Sequence, residues 1–565
     1  MKFRRSLDIH RAEARRRTRS PWKVASRTGL YGAVVAVAAC GGGGGDADPN
    51  AVAQLAVVPA NLAVDPAVDC TMAGIGAAVL TADAPVTILD VSTGTTGTGP
   101  SDKSYCLVKV KVDPQVNIWV AMPTSAWNGR LRSEGGGVYA GSVGVAADSV
   151  RQGFAGVQTD TGHSGFFLSG AFGMLSPGVP NTQLQMDFAH RSEHLMAVIG
   201  KQLVKAFYSR DAIRSYWYGC STGGRQGLMM AQRYPEDYDA ILAGAPAIHW
   251  DRFQAYQIWP QVVMREEVGA PVSAAKLALA TQRAVASCDG ADGVTDGLID
   301  DPRACRYNPT TDASITTGTC TAGDGTCLTA AEAISIQKIW NGARNTKGDL
   351  LWPGLERGTP LNAMAGPVPF PIPIEQARYW VYLDPTWDWT TLTYANYEAF
   401  FNKNVEMVGP LMGTDNPDLS AFRKRGGKVI LYHGWADPLI MPGGTVRYWN
   451  NVSDAMAAAK VPLDFAKLYV VPGMGHCAGG DGPNQFGQSA GGIVPADSKR
   501  DIFRALMEWS ETGTEPHEIV ATKFNNDDPS LAVTRTRPLC VYPQVARYKG
   551  AGSVDDATNF ACTNP

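Results

Sequence analysis

Apolar and polar positions alternate along Leu107-Val108-Lys109-Val110-Lys111-Val112 and again along Asn117-Ile118-Trp119-Val120-Ala121. A period of two sends successive side chains to opposite faces, so both segments are predicted to be β-strands. Residues 153–160 and the short apolar runs at 216–218, 238–243, 429–432 and 468–471 read as further buried strands. Over residues 186–208 the spacing lengthens to three and four, through Phe188, Leu195, Val198, Ile199, Leu203 and Phe207. That is one face of a helix. Residues 224–234 and 502–509 read as helices too. Strands interleaved with helices predict an α/β fold built on a mostly parallel sheet.

The rhythm breaks between about residues 251 and 414. That stretch is rich in loops, proline and glycine, and it holds six of the fourteen tryptophans. It reads as one large insertion between the two halves of a core, residues 70–250 and 415–565. The chain has 565 residues, ample for a single big domain carrying such an insertion.

The N-terminus reads as an export signal. A strongly basic stretch precedes a short apolar run, residues 29–39, too short to span a bilayer. The run ends Val37-Ala38-Ala39-Cys40, which resembles a bacterial lipobox. Residues 1–39 are therefore expected to be removed and Cys40 lipidated, an ordinary signal peptide being the alternative. Residues 40–69, opening on Gly41-Gly42-Gly43-Gly44-Gly45, are expected to be a flexible tether. The implied address is periplasmic, outer-membrane or secreted, with membrane contact only through the anchor.

Removing the leader changes the charge. The whole chain has 50 Lys+Arg against 53 Asp+Glu, and the leader takes 10 and 2 of these, leaving a net −11. An acidic chain is a poor partner for nucleic acid. Of 11 cysteines, ten remain after Cys40, an even number that suits an oxidising compartment. Spacing suggests local pairs Cys70–Cys106, Cys288–Cys305, Cys320–Cys327 and Cys540–Cys562, leaving Cys220 with Cys477. A metal site is the rival reading of these cysteines, although no CxxC pair occurs.

Gly219-Cys220-Ser221-Thr222-Gly223 matches the G-x-S-x-G turn in which a serine is displayed between a strand and a helix. Such a serine needs a base, and the base an orienting acid, in the chain order serine, acid, histidine. His476, after the strand at 468–471, is the candidate base. Asp437, after the strand at 429–432, is the candidate acid. If Cys220 bonds Cys477, Ser221 and His476 are neighbours. Oxyanion donors are expected from the Thr222 N–H and from Gly135, with Gly136 beside it. His433 either lines the pocket or is satisfied by nearby backbone.

A second motif is acidic. Asp289, Asp292, Asp296 and Asp300 are spaced by three and four, with glycines between them and Cys288 and Cys305 at the ends. Convergent oxygens of this kind suit calcium in a structural role, a metal-free acidic turn being the alternative. No organic cofactor is expected.

Together Gly219-Cys220-Ser221-Thr222-Gly223-Gly224, His433-Gly434-Trp435-Ala436-Asp437-Pro438 and Gly473-Met474-Gly475-His476-Cys477 resemble the tannase and feruloyl esterase family, which also holds mono(2-hydroxyethyl) terephthalate hydrolases. The resemblance runs from about residue 70 to the C-terminus and implies an α/β-hydrolase core, an inserted lid, and a disulfide joining the serine and histidine loops. It implies Ser221, Asp437 and His476 as the catalytic set and Gly135 and Thr222 as oxyanion donors. It implies calcium held by the side chains of Asp289, Asp292 and Asp296 and the carbonyls of Val294 and Leu298. Terephthalate-ester members carry a glutamate where this chain has Thr222, and a phenylalanine shortly after the acid, where this chain reads Pro438-Leu439-Ile440. The expected activity is therefore hydrolysis of feruloyl, hydroxycinnamoyl or galloyl esters, with Trp380 and Trp387 of the lid and Ile440 contacting a small aromatic ester. Terephthalate monoester hydrolysis is the alternative activity, and a non-catalytic surface lipoprotein that binds aromatic ligands is the alternative class.

Overall fold

The computed structural model describes residues 52–53, 55, 58–59, 61–321, 323–489 and 494–565. The expected leader and the lipidated Cys40 lie outside the described residues. A nine-stranded sheet runs through the rest. Its members are β1 (Val86–Thr95), β2 (Ser104–Val112), β3 (Val116–Pro123), β4 (Arg130–Glu134), β5 (Ala155–Thr159), β6 (Arg214–Cys220), β7 (Ala240–Gly244), β8 (Lys428–Gly434) and β9 (Ala466–Val471). The spatial order is β1-β2-β3-β5-β4-β6-β7-β8-β9. The first three strands meet antiparallel, as do β3 and β5. From β5 onward every pairing is parallel.

Neighbouring residues on the parallel strands separate cleanly onto the two faces. Trp217, Ile241 and Val429 bury on one side, whereas Tyr216, Leu242 and Ile430 bury on the other. The first face is covered by α1 (Ser192–Tyr208), α2 (Thr222–Arg233) and α3 (Pro442–Ala458), through side chains such as Leu203, Leu228 and Trp449. The second face is covered by α4 (Ile502–Thr512), through Phe503, Leu506 and Trp509. Burial on both faces is why these strands read as continuous apolar runs rather than alternating ones.

A π-helical turn, Asp187–Arg191, opens α1. The carbonyls of Phe188 and Ala189 in it accept hydrogen bonds of 3.1 and 2.7 Å from the fully buried Arg225 of α2. The widened turn thus exchanges helical bonds for charge-assisted ones and locks α1 to α2. Between β7 and β8 the chain leaves the sheet and returns. Residues of this insertion, from Trp250 to Met412, form their own apolar core together with Tyr139, Phe188, Ile440 and Met441 of the sheet unit. After α4 two antiparallel hairpins follow, β10 (Glu518–Phe524) with β11 (Val533–Cys540) and β12 (Val545–Tyr548) with β13 (Phe560–Thr563).

All ten described cysteines are joined in five disulfides, Cys70–Cys106, Cys220–Cys477, Cys288–Cys305, Cys320–Cys327 and Cys540–Cys562. This replaces the metal reading of those residues. Of the tether expected over residues 40–69, several described residues bond to the rest of the chain. Ala53 donates to the Lys424 carbonyl, Val64 exchanges two 2.9 Å bonds with Trp127, and Ala67 donates to Phe207. These isolated bonds need no periodic pattern, so the sequence carried no sign of them.

Leu203 is fully buried where α1 meets the sheet. Leu203→Ala is expected to destabilise the protein by about 2–5 kcal/mol through lost burial and the cavity left behind. A lowered midpoint in urea, with esterase activity per folded molecule retained, is the result to look for.

Candidate active site

Three loops at the carboxyl ends of the parallel strands β6, β8 and β9 carry the candidate residues, the usual place for a site in an open α/β sheet. The first follows β6. Ser221 has φ 63° and ψ −123°, a strained conformation for a residue with a side chain. Gly219 and Gly223 make the turn sterically feasible. A Cβ at Gly219 would sit 2.6 Å from the Gly223 carbonyl, and one at Gly223 would sit 3.1 Å from the Gly136 oxygen. The strain is held by backbone bonds. Ser221 donates to Gly244 of β7 at 2.9 Å and accepts from Arg225 and Ala247, each at 3.1 Å. Thr222 opens α2, so its N–H has no acceptor within the helix.

The second loop follows β8 and presents Asp437, whose side chain is fully buried. Its Oδ1 accepts the N–H groups of Leu439 and Ile440 at 2.8 and 3.0 Å. Its Oδ2 faces His476 Nδ1 at 2.7 Å and His433 Nε2 at 3.0 Å. Burial alone would raise this carboxyl. The charge of His476 and the hydrogen bonds from both histidines outweigh it and hold the group below the usual carboxylate range.

The third loop follows β9 and carries His476, partly exposed, next to Cys477. With Nδ1 donating to Asp437, the Nε2 of His476 is left as the acceptor, the tautomer a general base requires. The disulfide to Cys220 holds the two loops with Cα atoms 6.0 Å apart across a sequence separation of 257 residues. Closing so long a loop stabilises the fold by on the order of 5 kcal/mol in the chain-entropy account. Its local effect is to seat Ser221 and His476 on either side of one covalent bond.

His433 does not line a pocket. It is fully buried, with Nε2 facing Asp437 and the Ile440 carbonyl, both at 3.0 Å, and Nδ1 facing the Thr445 hydroxyl at 2.8 Å. Two acceptors at Nε2 require the proton there, so Thr445 donates to Nδ1. His433 thus stands behind Asp437 and orients it. Ile440 is buried too, its backbone serving Asp437 and His433 and its side chain the apolar core of the insertion.

The glycine loop also differs from expectation. The Gly135 N–H is donated to the Tyr218 carbonyl at 2.9 Å, continuing the β4–β6 ladder one residue past Glu134. The Gly136 N–H is donated to Gln226 Oε1 at 2.9 Å. Gln226 is itself held by the fully buried Glu193, whose carboxyl burial pushes up to about 7. Among the described residues, the loop amides without a partner are those of Gly137 and Val138. The Thr222 hydroxyl donates to the Val138 carbonyl at 2.7 Å, which brings that part of the loop to the start of α2.

The chain is similar to known proteins over most of its length. The family model described as tannase and feruloyl esterase matches residues 104–563. The chain belongs to the tannase and feruloyl esterase family. A probable feruloyl esterase of Arthroderma benhamiae is 34% identical over 464 residues, covering 79% of this chain and 82% of that protein. An uncharacterized esterase of Xanthomonas campestris is 32% identical over 488 residues, covering 80% and 82%. The crystal structure of feruloyl esterase B from Aspergillus oryzae superposes with a TM-score of 0.76 at 29% identity, covering 86% of this chain and 98% of that one. Tannin acyl hydrolase from Aspergillus niger, at 23% identity and a TM-score of 0.73, shows the same fold. This esterase is a carboxylic ester hydrolase with an α/β-hydrolase core.

Other expected site residues of the esterase lie elsewhere. Trp380 is buried, donates Nε1 to the Gly170 carbonyl at 3.0 Å and packs among Tyr139, Phe172 and Phe188. Trp387 stacks on Tyr382 and Phe400 at 5.3 and 5.6 Å. Trp380 thus packs the insertion onto the sheet unit, and Trp387, partly buried, lies at the edge of the same apolar cluster.

The acidic loop packs against the C-terminal hairpin. Asp289 accepts the N–H groups of Asp296 and Gly297, and Asp292 accepts that of Val294, all at 2.9 Å. Asp296 accepts from Leu298 at 3.2 Å and pairs with Arg535 and Arg537 of β11. Burial raises Asp296, Arg537 and Arg535 oppose it, and the charges of Asp289 and Asp292 add to it. Asp300, which sequence reasoning left out of the ligand set, is pushed well above its usual value by burial and by Asp292, and its Oδ2 is buried without a partner. The donor set of the loop is carboxylate and carbonyl oxygen, the chemistry of a hard-cation site, although the Asp296 carboxylate is already paired with Arg535 and Arg537.

Substituting His433 tests its placement behind Asp437. A hydrogen bond to a charged group is worth about 1.5–3 kcal/mol, so His433→Phe is expected to lower kcat/KM by about tenfold or more. His433→Gln, which keeps a donor near Nε2, is expected to recover much of it at matched thermal stability. Equal loss in both variants would reduce His433 to a packing role.

Proposed function

We propose that the protein is a serine carboxylesterase acting on esters of aromatic acids, of feruloyl, hydroxycinnamoyl or galloyl type, through an acyl-enzyme. The observation that carries this is the 2.7 Å bond between the buried Asp437 and His476, on a loop tied by Cys220–Cys477 to the elbow of Ser221. In this reading His476 Nε2 takes the Ser221 proton as the oxygen attacks the ester carbonyl. The N–H groups of Thr222 and of Gly137 or Val138 receive the developing oxyanion. His476 then gives its proton to the departing alcohol, the ester C–O bond breaks, and Ser221 holds the acyl group. Water, deprotonated by His476, repeats the sequence and frees the acid. Asp437 stays ionised throughout and stabilises the imidazolium.

The names of the relatives support the acyl class, since a probable feruloyl esterase and a feruloyl esterase B are among them. Thr222, standing where a glutamate marks terephthalate-ester members, has its hydroxyl committed to Val138. The five disulfides support an exported protein. Among the described residues no helix is long and apolar enough to cross a membrane.

Calcium is assigned to the acidic loop in the same reading, held by side chains of Asp289, Asp292 and Asp296 and carbonyls of Val294 and Leu298, with Asp300 beside them. Its contribution would be charge neutralisation that lets the loop pack on β11. Asp300→Asn is expected to leave turnover intact while reducing the response to metal.

Two measurements test the reading. Ser221→Ala is expected to abolish hydrolysis of a hydroxycinnamate ester panel, by about a millionfold in kcat for loss of a triad nucleophile; retained turnover would refute the mechanism. Adding a chelator is expected to lower the melting temperature and adding back calcium, but not magnesium, to restore it. An unchanged melting curve would remove the metal assignment.

A further inference from the structure

Gln261 and Arg265 stand four residues apart on the helix Trp259–Glu267 of the insertion, so they share one of its faces. Both line a cavity of about 180 Å³, whose other walls include Met264, Pro271, Pro367 and Trp389. None of Ser221, Asp437, His476 and the glycine loop at 135–138 lines it.

The polar atoms at this cavity are unsatisfied. Nη1 and Nη2 of Arg265 are both buried, and neither has a hydrogen-bond partner. The guanidinium lies 5.6 Å from the centre of the Trp389 ring, a contact that attracts the charge but accepts no in-plane N–H bond. The Asp388 carboxyl does not fill the gap. It is held below the usual carboxylate range by hydrogen bonds from Thr390, and Arg378 and Arg265 add only their charge. Gln261 is 3% exposed, and its Nε2 donates to the carbonyls of Met364, Gly366 and Val368 at 2.8, 3.1 and 3.3 Å. Three carbonyls fix which end of the amide is nitrogen. The buried atom without a partner is therefore the acceptor Oε1. Leaving such groups buried and unpaired is costly, and a charged donor costs most.

Those two vacancies describe a ligand. The paired N–H groups of a planar guanidinium match a carboxylate. Oε1 can only accept, so it calls for a hydroxyl. Met264, the prolines and the Trp389 indole suit a flat apolar body between the two. At about 30 Å³ per water the cavity has the room of about six waters, enough for one substituted ring. We infer that this cavity is a second ligand site, which binds a hydroxylated one-ring aromatic carboxylate with its carboxylate on Arg265 and its hydroxyl on Gln261. The side chains alone select this class. The reaction proposed above releases acids of the same class, so the insertion would hold product away from Ser221, and that consequence rests on the serine esterase reading.

Calorimetric titration of the whole protein tests the site with four probes: 4-hydroxybenzoate, benzoate, 4-hydroxybenzamide and inorganic phosphate. The first is expected to bind about tenfold or more tighter than each of the others, the scale of one lost hydrogen bond to a charged group. Arg265→Gln removes the fork. Ala270→Trp, at an exposed position of the rim, fills the space without touching the fork. Each is expected to weaken 4-hydroxybenzoate by at least about tenfold and to leave kcat/KM for a methyl hydroxycinnamate unchanged. Acid held at Ser221 would survive both variants, so an affinity that neither changes would overturn the site. Phosphate binding as tightly as 4-hydroxybenzoate, or no binding of 4-hydroxybenzoate by the wild type, would overturn it too. Binding is read as heat and not as turnover, so the two readings fail separately. If Ser221→Ala still cleaves the methyl ester while the acid binds at Arg265, the serine esterase reading falls and the site stands.

Discussion

One buried negative charge organises this molecule. Asp437 has no exposed side-chain surface, and an ionised carboxylate in that position is tolerable only with its oxygens satisfied. Two backbone amides and two imidazoles do so. Three structural devices deliver those four donors. The amides come from the turn after β8, His433 from the end of β8 itself, and His476 from the loop after β9. Thr445 of α3 fixes the proton on His433, so even that helix is tied to the charge. His476 Nε2 is the ring nitrogen of this pair not turned to Asp437, and the disulfide holds the loop that carries it beside the elbow of Ser221.

Two flanks follow from that centre. On the elbow flank, Glu193 and Gln226 hold the glycine loop, and the Thr222 hydroxyl pins its far end. These groups are buried and polar, suited to fixing backbone amides where charge develops. On the histidine flank the Leu298 side chain of the acidic loop packs close to Gly473, three residues before His476. A structural cation in that loop would therefore stiffen the neighbourhood of the base as well as the C-terminal hairpin.

Much of this was legible in the sequence, for identifiable reasons. The strands at 107–121 and the helix ending at Tyr208 have clean periods, and the elbow needs small residues at fixed offsets, which leaves a mark. Asp437 and His476 follow apolar runs, and His476 sits next to a cysteine. Helix α3 left no such mark, because Gly443, Gly444, Asn450 and Asn451 lower its propensity and burial of Tyr448, Trp449 and Val452 overrides them. The amide of Gly135 was misassigned since nothing in Glu134-Gly135-Gly136-Gly137 shows that strand pairing runs one residue further. His433 was ambiguous because its partners, Thr445 and the Ile440 carbonyl, are set by the turn and not by spacing. Trp380 looks like a display residue in a loop-rich segment and packs that segment onto the sheet unit, while Trp387, partly buried, stacks on Tyr382 and Phe400.

The central claim is that Ser221 is activated by a histidine whose loop is covalently bound to its own. The most direct measurement is labelling with a fluorophosphonate probe, followed by peptide mapping without reduction. The account predicts the label on Ser221, in a peptide still joined through Cys220–Cys477 to the peptide that holds His476. Absence of label from Ser221, or a labelled peptide whose cysteine has another partner, would contradict it.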